Sequence, residues 1–138
     1  MFDLSVNDRL TEWKKFRDSL ETDTDPLKAV SLLWSQAPFV NPYLNPNRPD
    51  EWPNPWQLVL GNRLDDLAIA LGMLYTIKLT QRFIDSKCEI HMSILKKNDF
   101  YLVIDNKHVL NYEPRVVHDI SVLDGVQTST IWCCEKLK

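Results

Sequence analysis

Apolar residues recur at helical spacing early in the chain. Leu10, Trp13, Phe16 and Leu20 form one stripe between charged positions, the pattern of an amphipathic helix. A second helical pattern opens at Asp25-Pro26, an acidic residue at the N-cap followed by proline at the first helical position. The strongest periodicity follows: Leu64, Leu67, Ala68, Leu71, Leu74, Tyr75 and Leu79 define one broad apolar face and predict a core helix. Asp65 and Asp66 near its start and Lys78 near its end complement the helix dipole, and Gly72 within it predicts close packing against another element. From Lys87 onward the period becomes two. Cys88, Ile90, Met92 and Ile94 alternate with Glu89, His91, Ser93 and Leu95, and residues 96–99 turn the chain into a strand from Phe100 to Ile104, a hairpin. Asp105-Asn106-Lys107 reads as a second turn, into a strand over 108–112. Val116-Val117, Ile120–Leu123 and residues 128–134 read as further strands, with Asp124-Gly125 a turn. Helices first and strands afterwards predict an α+β fold: N-terminal helices and a central core helix packed on an antiparallel sheet of about four to six strands.

Between the second helix and the core helix, six of the eight prolines (Pro38, Pro42, Pro46, Pro49, Pro53 and Pro55) fall close together, with Asn-Pro occurring three times. A disordered linker would not spend Phe39, Tyr43 and Trp52 in so short a stretch. Proline restricts the unfolded chain and the rings can pack, so residues 37–56 read as an ordered loop that wraps the domain or meets a partner. Phe39, Tyr43 and above all Trp52, flanked by Glu51 and Pro53, are its interface candidates. Trp13, Trp34, Trp56 and Trp132 sit in patterned segments and read as core. The organisation expected is one domain over 1–138, with helices in 1–36, the loop in 37–56, and the core helix and sheet in 57–138.

Sixteen Lys and Arg against nineteen Asp and Glu give a net charge of −3, which lacks the broad positive field of a general nucleic-acid binder. With 44% hydrophobic and 25% charged residues, the composition is that of a folded protein. Asp65, Asp66 and Lys78 interrupt the most apolar stretch, and Asp3 stands where a signal peptide carries basic charge. The expectation is therefore a protein that is neither secreted nor membrane-spanning. Three cysteines, two of them vicinal, suit free thiols in a reducing compartment. Three glycines leave little room for a phosphate-cradling loop, and no cofactor is expected.

Cys88 and His91 form C-x-x-H, and Cys133-Cys134 could add two thiolates to a zinc site. On a strand, however, residues three apart face opposite ways, as do neighbours, so no metal site is expected. A cysteine nucleophile needs an electropositive position such as a helix N-terminus, which none of the three occupies. Asp65-Asp66 and Asp105-Asn106 have structural reasons to exist in a helix's first turn and a hairpin turn. His108 and His118 read as surface or hydrogen-bonding residues.

Pro55-Trp56, then Asn62-Arg63-Leu64-Asp65-Asp66-Leu67-Ala68, then a long helix followed by antiparallel strands, resembles transglutaminase-like cysteine peptidase domains, including small ones encoded by tailed phages. The family pattern is Pro-Trp, a spacer and Gly-Asp-Cys-Asp-Asp-Leu-Ala. The Cys opens the core helix, and a His and an Asp on later strands complete a papain-like triad. The resemblance spans residues 53–112 and implies the following correspondence. Leu64 stands at the nucleophile, Phe100 at the histidine to within one residue, and Asn111 at the triad acid. An alkyl group cannot attack a carbonyl and a phenyl ring cannot move a proton, so the resemblance implies a fold that kept its frame and lost the reaction.

The function expected on this basis is that of a non-catalytic structural or assembly protein, a tailed-phage virion component of tail, baseplate or neck. It would bind other protein subunits in a multi-copy assembly, in the virion or the host cytoplasm, with no nucleic acid and no membrane. Two alternatives stand beside it: a cysteine-dependent acyl-transfer or peptidase-like enzyme centred on Cys88 and His91, and an intracellular adaptor or inhibitor.

Overall fold

The computed structural model describes residues 1–39, 44–61, 64–93 and 99–133. Four helices, α1 (Val6–Leu20), α2 (Pro26–Trp34), α3 (Pro55–Gly61) and α4 (Asp66–Lys78), precede five strands, β1 (Cys88–Ser93), β2 (Phe100–Ile104), β3 (His108–Leu110), β4 (His118–Asp119) and β5 (Thr128–Cys133). The strands form one antiparallel sheet in the order β4-β3-β2-β1-β5. This is the α+β arrangement of helices and antiparallel sheet that the hydrophobic pattern predicts.

Helix α4 is central. It packs on α2 and α3 on one side and on β1 and β2 on the other, and every residue from Leu67 to Ile77 is buried. The single broad apolar face expected is therefore a correction. Ile69, Ala70, Met73, Thr76 and Ile77 fill the remaining sides, because a helix enclosed by two layers needs an apolar surface all round. Gly72 explains how α2 comes so close: a Cβ there would run into the six-membered ring of Trp34, which is fully buried. Thr76, one turn later, accepts both the Trp13 and the Trp34 indole N–H at 3.0 Å and donates to the Gly72 carbonyl. Three helices thus meet at one hydroxyl.

Helix α3 starts inside the segment read as loop. Asn54 and Gln57 cap it reciprocally, the Asn54 carboxamide accepting from Gln57 N–H and the Gln57 side chain accepting from Asn54 N–H, a capping box with Pro55 at the first helical position. Its last turn is held by Arg9, whose guanidinium donates to the Val59 and Leu60 carbonyls, satisfying oxygens that a helix end leaves open.

The two faces of the sheet bury different clusters. Cys88, Ile90, Phe100, Leu102, Ile104 and Leu110 join the main core under the helices. Tyr101, Val103 and Val109 form a smaller cluster on the other face, covered by Tyr112, Ile120, Val122, Leu123 and Val126. Asp105 and Asn106 both take positive φ, 53° and 52°, as the β2–β3 hairpin turn requires. Gly125, φ +79°, completes the expected turn after Asp124, closed by Val126 N–H to the Leu123 carbonyl. Two expected strands are absent from the described residues. Ile120–Leu123 is a 3-10 turn, started by the Asp119 carboxylate accepting from Ser121 N–H, and Val116-Val117 precedes β4 without pairing. The strand expected over 108–112 stops at Leu110, because Asn111 turns left-handed with φ 66°. Ile94 and Leu95 lie outside the described residues.

Candidate functional site

The start of α4 faces the starts and ends of two strands, and three acidic residues gather there. Asp65 is the N-cap: one carboxylate oxygen accepts from Ala68 N–H at 2.8 Å and the other from Leu44 N–H at 2.9 Å, pinning the proline-rich segment onto the helix. Asp66, the first helical residue, turns to the sheet. Its carboxylate accepts from Phe100 N–H at 2.8 Å and from the Asn111 side-chain amide at 3.1 Å, and that amide also donates to the Phe100 carbonyl at 3.0 Å. The result is a closed clasp joining α4, the first residue of β2 and the residue after β3. Beside it lies a cleft of about 340 Å³, lined by Phe39, Leu44, Pro46, Leu67 and Phe100 with Asp65, Asp66 and Asp99.

Burial pushes the Asp66 carboxyl up to about 6. The like charges of Asp99 and Asp65 add to this, while the bonds from Phe100 and Asn111 oppose it. In the unfolded chain the same group titrates near 3.9. Between about pH 4 and pH 6 the folded protein therefore holds more protons than the unfolded one, and this group makes stability fall as pH rises through that window. Asp66→Asn removes the titration, at the cost of offering one acceptor where two donors arrive. In urea unfolding at a series of pH values, the deficit of Asp66→Asn relative to wild type is expected to shrink from pH 4 to pH 7. A deficit constant across that range would show that Asp66 does not carry the shift.

Two of the three positions that the sequence resemblance sets against a triad meet in this clasp. Phe100 opens β2 and Asn111 follows β3, bonded to each other and to Asp66. Leu64 does not open the helix, which corrects that expectation: the helix begins at Asp66 behind the Asp65 cap, and Leu64 lies one residue ahead of the cap. It is 1% exposed and bridged in parallel to Phe39. The group that reaches Phe100 and Asn111 is the Asp66 carboxylate, two residues further on.

Of the interface candidates, Phe39 is 65% exposed at the rim of the cleft, and Tyr43 lies outside the described residues. Trp52 is half-buried: it stacks edge-on against Trp132 at 5.2 Å and donates its indole N–H to the Asn45 carbonyl, so it helps to organise the loop. Trp132 in turn lies against Phe100. Trp56, read as core, is 46% exposed, with one side against Trp13 and Arg17.

Strand geometry separates the C-x-x-H pair as expected. Cys88 points into the main core, whereas His91 lies on the other face beside Glu89 at 3.2 Å. Burial pushes the Cys88 thiol up to about 11. Cys133 pairs with Glu89 across β5 and is exposed, while Cys134 lies outside the described residues. Among the described residues no group of three or more His, Cys, Asp or Glu side chains could hold a metal. His118 pairs with Val109 and sets its ring against Tyr112. Asp105 accepts from Lys87 N–H, a structural bond within the sheet. No described helix is long and apolar enough to cross a membrane. Compared with known proteins, the chain matches no family model, no curated protein and no solved structure.

Proposed function

We propose that this protein is a non-catalytic structural or assembly protein, a frame of transglutaminase-like layout whose catalytic positions serve architecture, acting through protein–protein contacts as a virion component. The observation that carries the reading is the clasp. At the start of the core helix, Phe100 and Asn111, two of the three positions that the resemblance gives to a triad, are tied through a backbone amide and a carboxamide to the Asp66 carboxylate, while Leu64, the third, is buried outside the clasp. None of these groups is a thiolate or an imidazole, and both oxygens of the Asp66 carboxylate are engaged by donors of the fold itself. The apolar rim of the cleft, with Phe39 exposed beside it, suits contact with another protein.

The reading by displaced thiol has little support. Cys88 is 1% exposed and its thiol is held far above neutral pH, the opposite of an activated cysteine. Maleimide labelling at pH 7 followed by mass spectrometry is expected to modify Cys88 only after unfolding, with no turnover of peptide or acyl-donor substrates by the folded chain. Rapid labelling of folded Cys88, or turnover abolished by Cys88→Ser, would overturn the proposal in favour of the enzyme. Recovery of the chain in density-purified particles tests the virion assignment, and absence from such particles would favour the adaptor reading.

A further inference from the structure

The sheet has two edges of very different character. At one edge, β4 is two residues long and ends on the charged Asp119, a short and protected boundary. At the other, β5 runs through Thr128-Ser129-Thr130-Ile131-Trp132-Cys133 without a charge or a proline. Among the described residues its one protective device is the bulge opposite Met92 and Ser93, which leaves Thr130 to Cys133 in regular register.

The direction of the β5 backbone follows from its neighbours. Asp105 N–H donates to the Lys87 carbonyl and Ser93 N–H to the Asp99 carbonyl, so the odd-numbered residues of β1 bond to β2. Antiparallel ladders alternate, so Ile90 and Met92 bond to β5, where their partners are Trp132 and Thr130. The Met92 carbonyl indeed accepts from the Ser129 hydroxyl on that side. Ile131 and Cys133 therefore aim their N–H and C=O groups at the open edge. Ile131 also carries an exposed side chain, 51% accessible, on the sheet face away from the helices.

We propose that this edge pairs with the β5 edge of a second copy of the chain, antiparallel about a dyad through Ile131, extending the sheet across two molecules. The register follows from parity and polarity. Paired residues must share a sheet face, and centring on Ile131 sets its exposed side chain against its own copy and Thr130 against Trp132 of the second copy. The chain as a whole carries −3, yet over the described residues that this dyad pairs, 129–133, no charge faces a like charge. That makes a second copy the fitting occupant, and the contact isologous and closed. A seam of one strand edge belongs to the small, transient class of interfaces below about 1,200 Å². The pairing therefore forms at high protein concentration, or where many copies are held together. The proposal does not depend on the loss of chemistry at the cleft: turnover there would leave the dimer intact, and a monomer would leave the cleft reading intact.

Sedimentation velocity under reducing conditions, up to about 1 mM protein where interfaces of this size associate, tests it. Wild type is expected to shift from the 16.2 kDa monomer towards twice that mass. Ile131→Lys is expected to remain monomeric throughout with an unchanged circular dichroism spectrum, since it alters an exposed side chain and no bond to β1. Ile131→Val is expected to retain the shift. In a Cys133→Ser chain, Ile131→Cys is expected to oxidise to a linked dimer at least tenfold faster than Thr130→Cys, because only a residue on the dyad meets itself. A wild type monomeric at every concentration, as a foreign strand partner would leave it, overturns the proposal. So does a dimer that Ile131→Lys leaves untouched.

Discussion

Thr76→Val is expected to lower unfolding stability by about 2–5 kcal/mol, because it strands two buried indole N–H groups at once. Valine keeps the volume and branching of threonine, so packing changes little. What it removes is the one oxygen that accepts from both Trp13 and Trp34, at 3.0 Å each, in a site where all three residues are 0% exposed. Neither indole reaches water in the folded protein, so each loses its bond without replacement. Thermal unfolding followed by tryptophan fluorescence measures the effect. The expected fall in Tm is on the order of 10 °C for a chain of this size, and a loss below about 1 kcal/mol would mean that the indoles find other partners.

The periodic elements of this fold were legible because burial imposes its period on the sequence. The stripe of Leu10, Trp13, Phe16 and Leu20 lies in α1, Pro26 opens α2, and the alternation from Cys88 marks β1 with its core face at Cys88 and Ile90. Helix α3 was hidden by its own start signal. Asn54-Pro55 repeats the Asn-Pro of the preceding loop, and only Gln57, three residues after Asn54, distinguishes a capped helix from another turn. The run Ile120–Leu123 misled for the opposite reason. Four apolar or small residues look like a strand, but Asp119 starts a 3-10 turn, and Ile120, Val122 and Leu123 are apolar because they cover the outer sheet cluster.

The candidate site was half legible. Phe100 and Asn111 come together because β2 and β3 form a tight hairpin that sets Leu102 opposite Leu110. The role of Asp66 was not readable, since two acidic residues at a helix start look alike until one caps the helix and the other reaches across to the sheet. Asparagine at position 111 carries a signal in retrospect: it tolerates the left-handed backbone, φ 66°, that turns its carboxamide back to Phe100. Tryptophan positions divided by what lay across from them. Trp13 and Trp34 found Thr76, whereas Trp56 found only one side of α1 and stayed half exposed.

Gly72→Ala is the second large effect and runs against helix propensity. Alanine in place of a helical glycine ordinarily gains about 1 kcal/mol, but here the new methyl enters the ring of Trp34. That ring cannot yield easily, being fully buried, held by Thr76 and packed edge-on against Phe2. Overpacking typically costs about 1–3 kcal/mol, and a methyl placed inside a fixed ring belongs at the upper end of that range, so a net loss of about 2 kcal/mol is expected in urea unfolding. The origin of the loss is separable by a double-mutant cycle. In a Trp34→Leu background the ring is gone, and the same Gly72→Ala change should become neutral or stabilising, a reversal that only direct contact between the two sites produces. Losses that simply add would place the strain elsewhere. The same helix presents Asp65 and Asp66 to the cleft nearly two turns earlier, so any displacement of α4 by the methyl should also loosen the Asp66 clasp. In the Gly72→Ala protein, faster amide hydrogen exchange at Phe100, whose N–H donates to Asp66, would report that loosening.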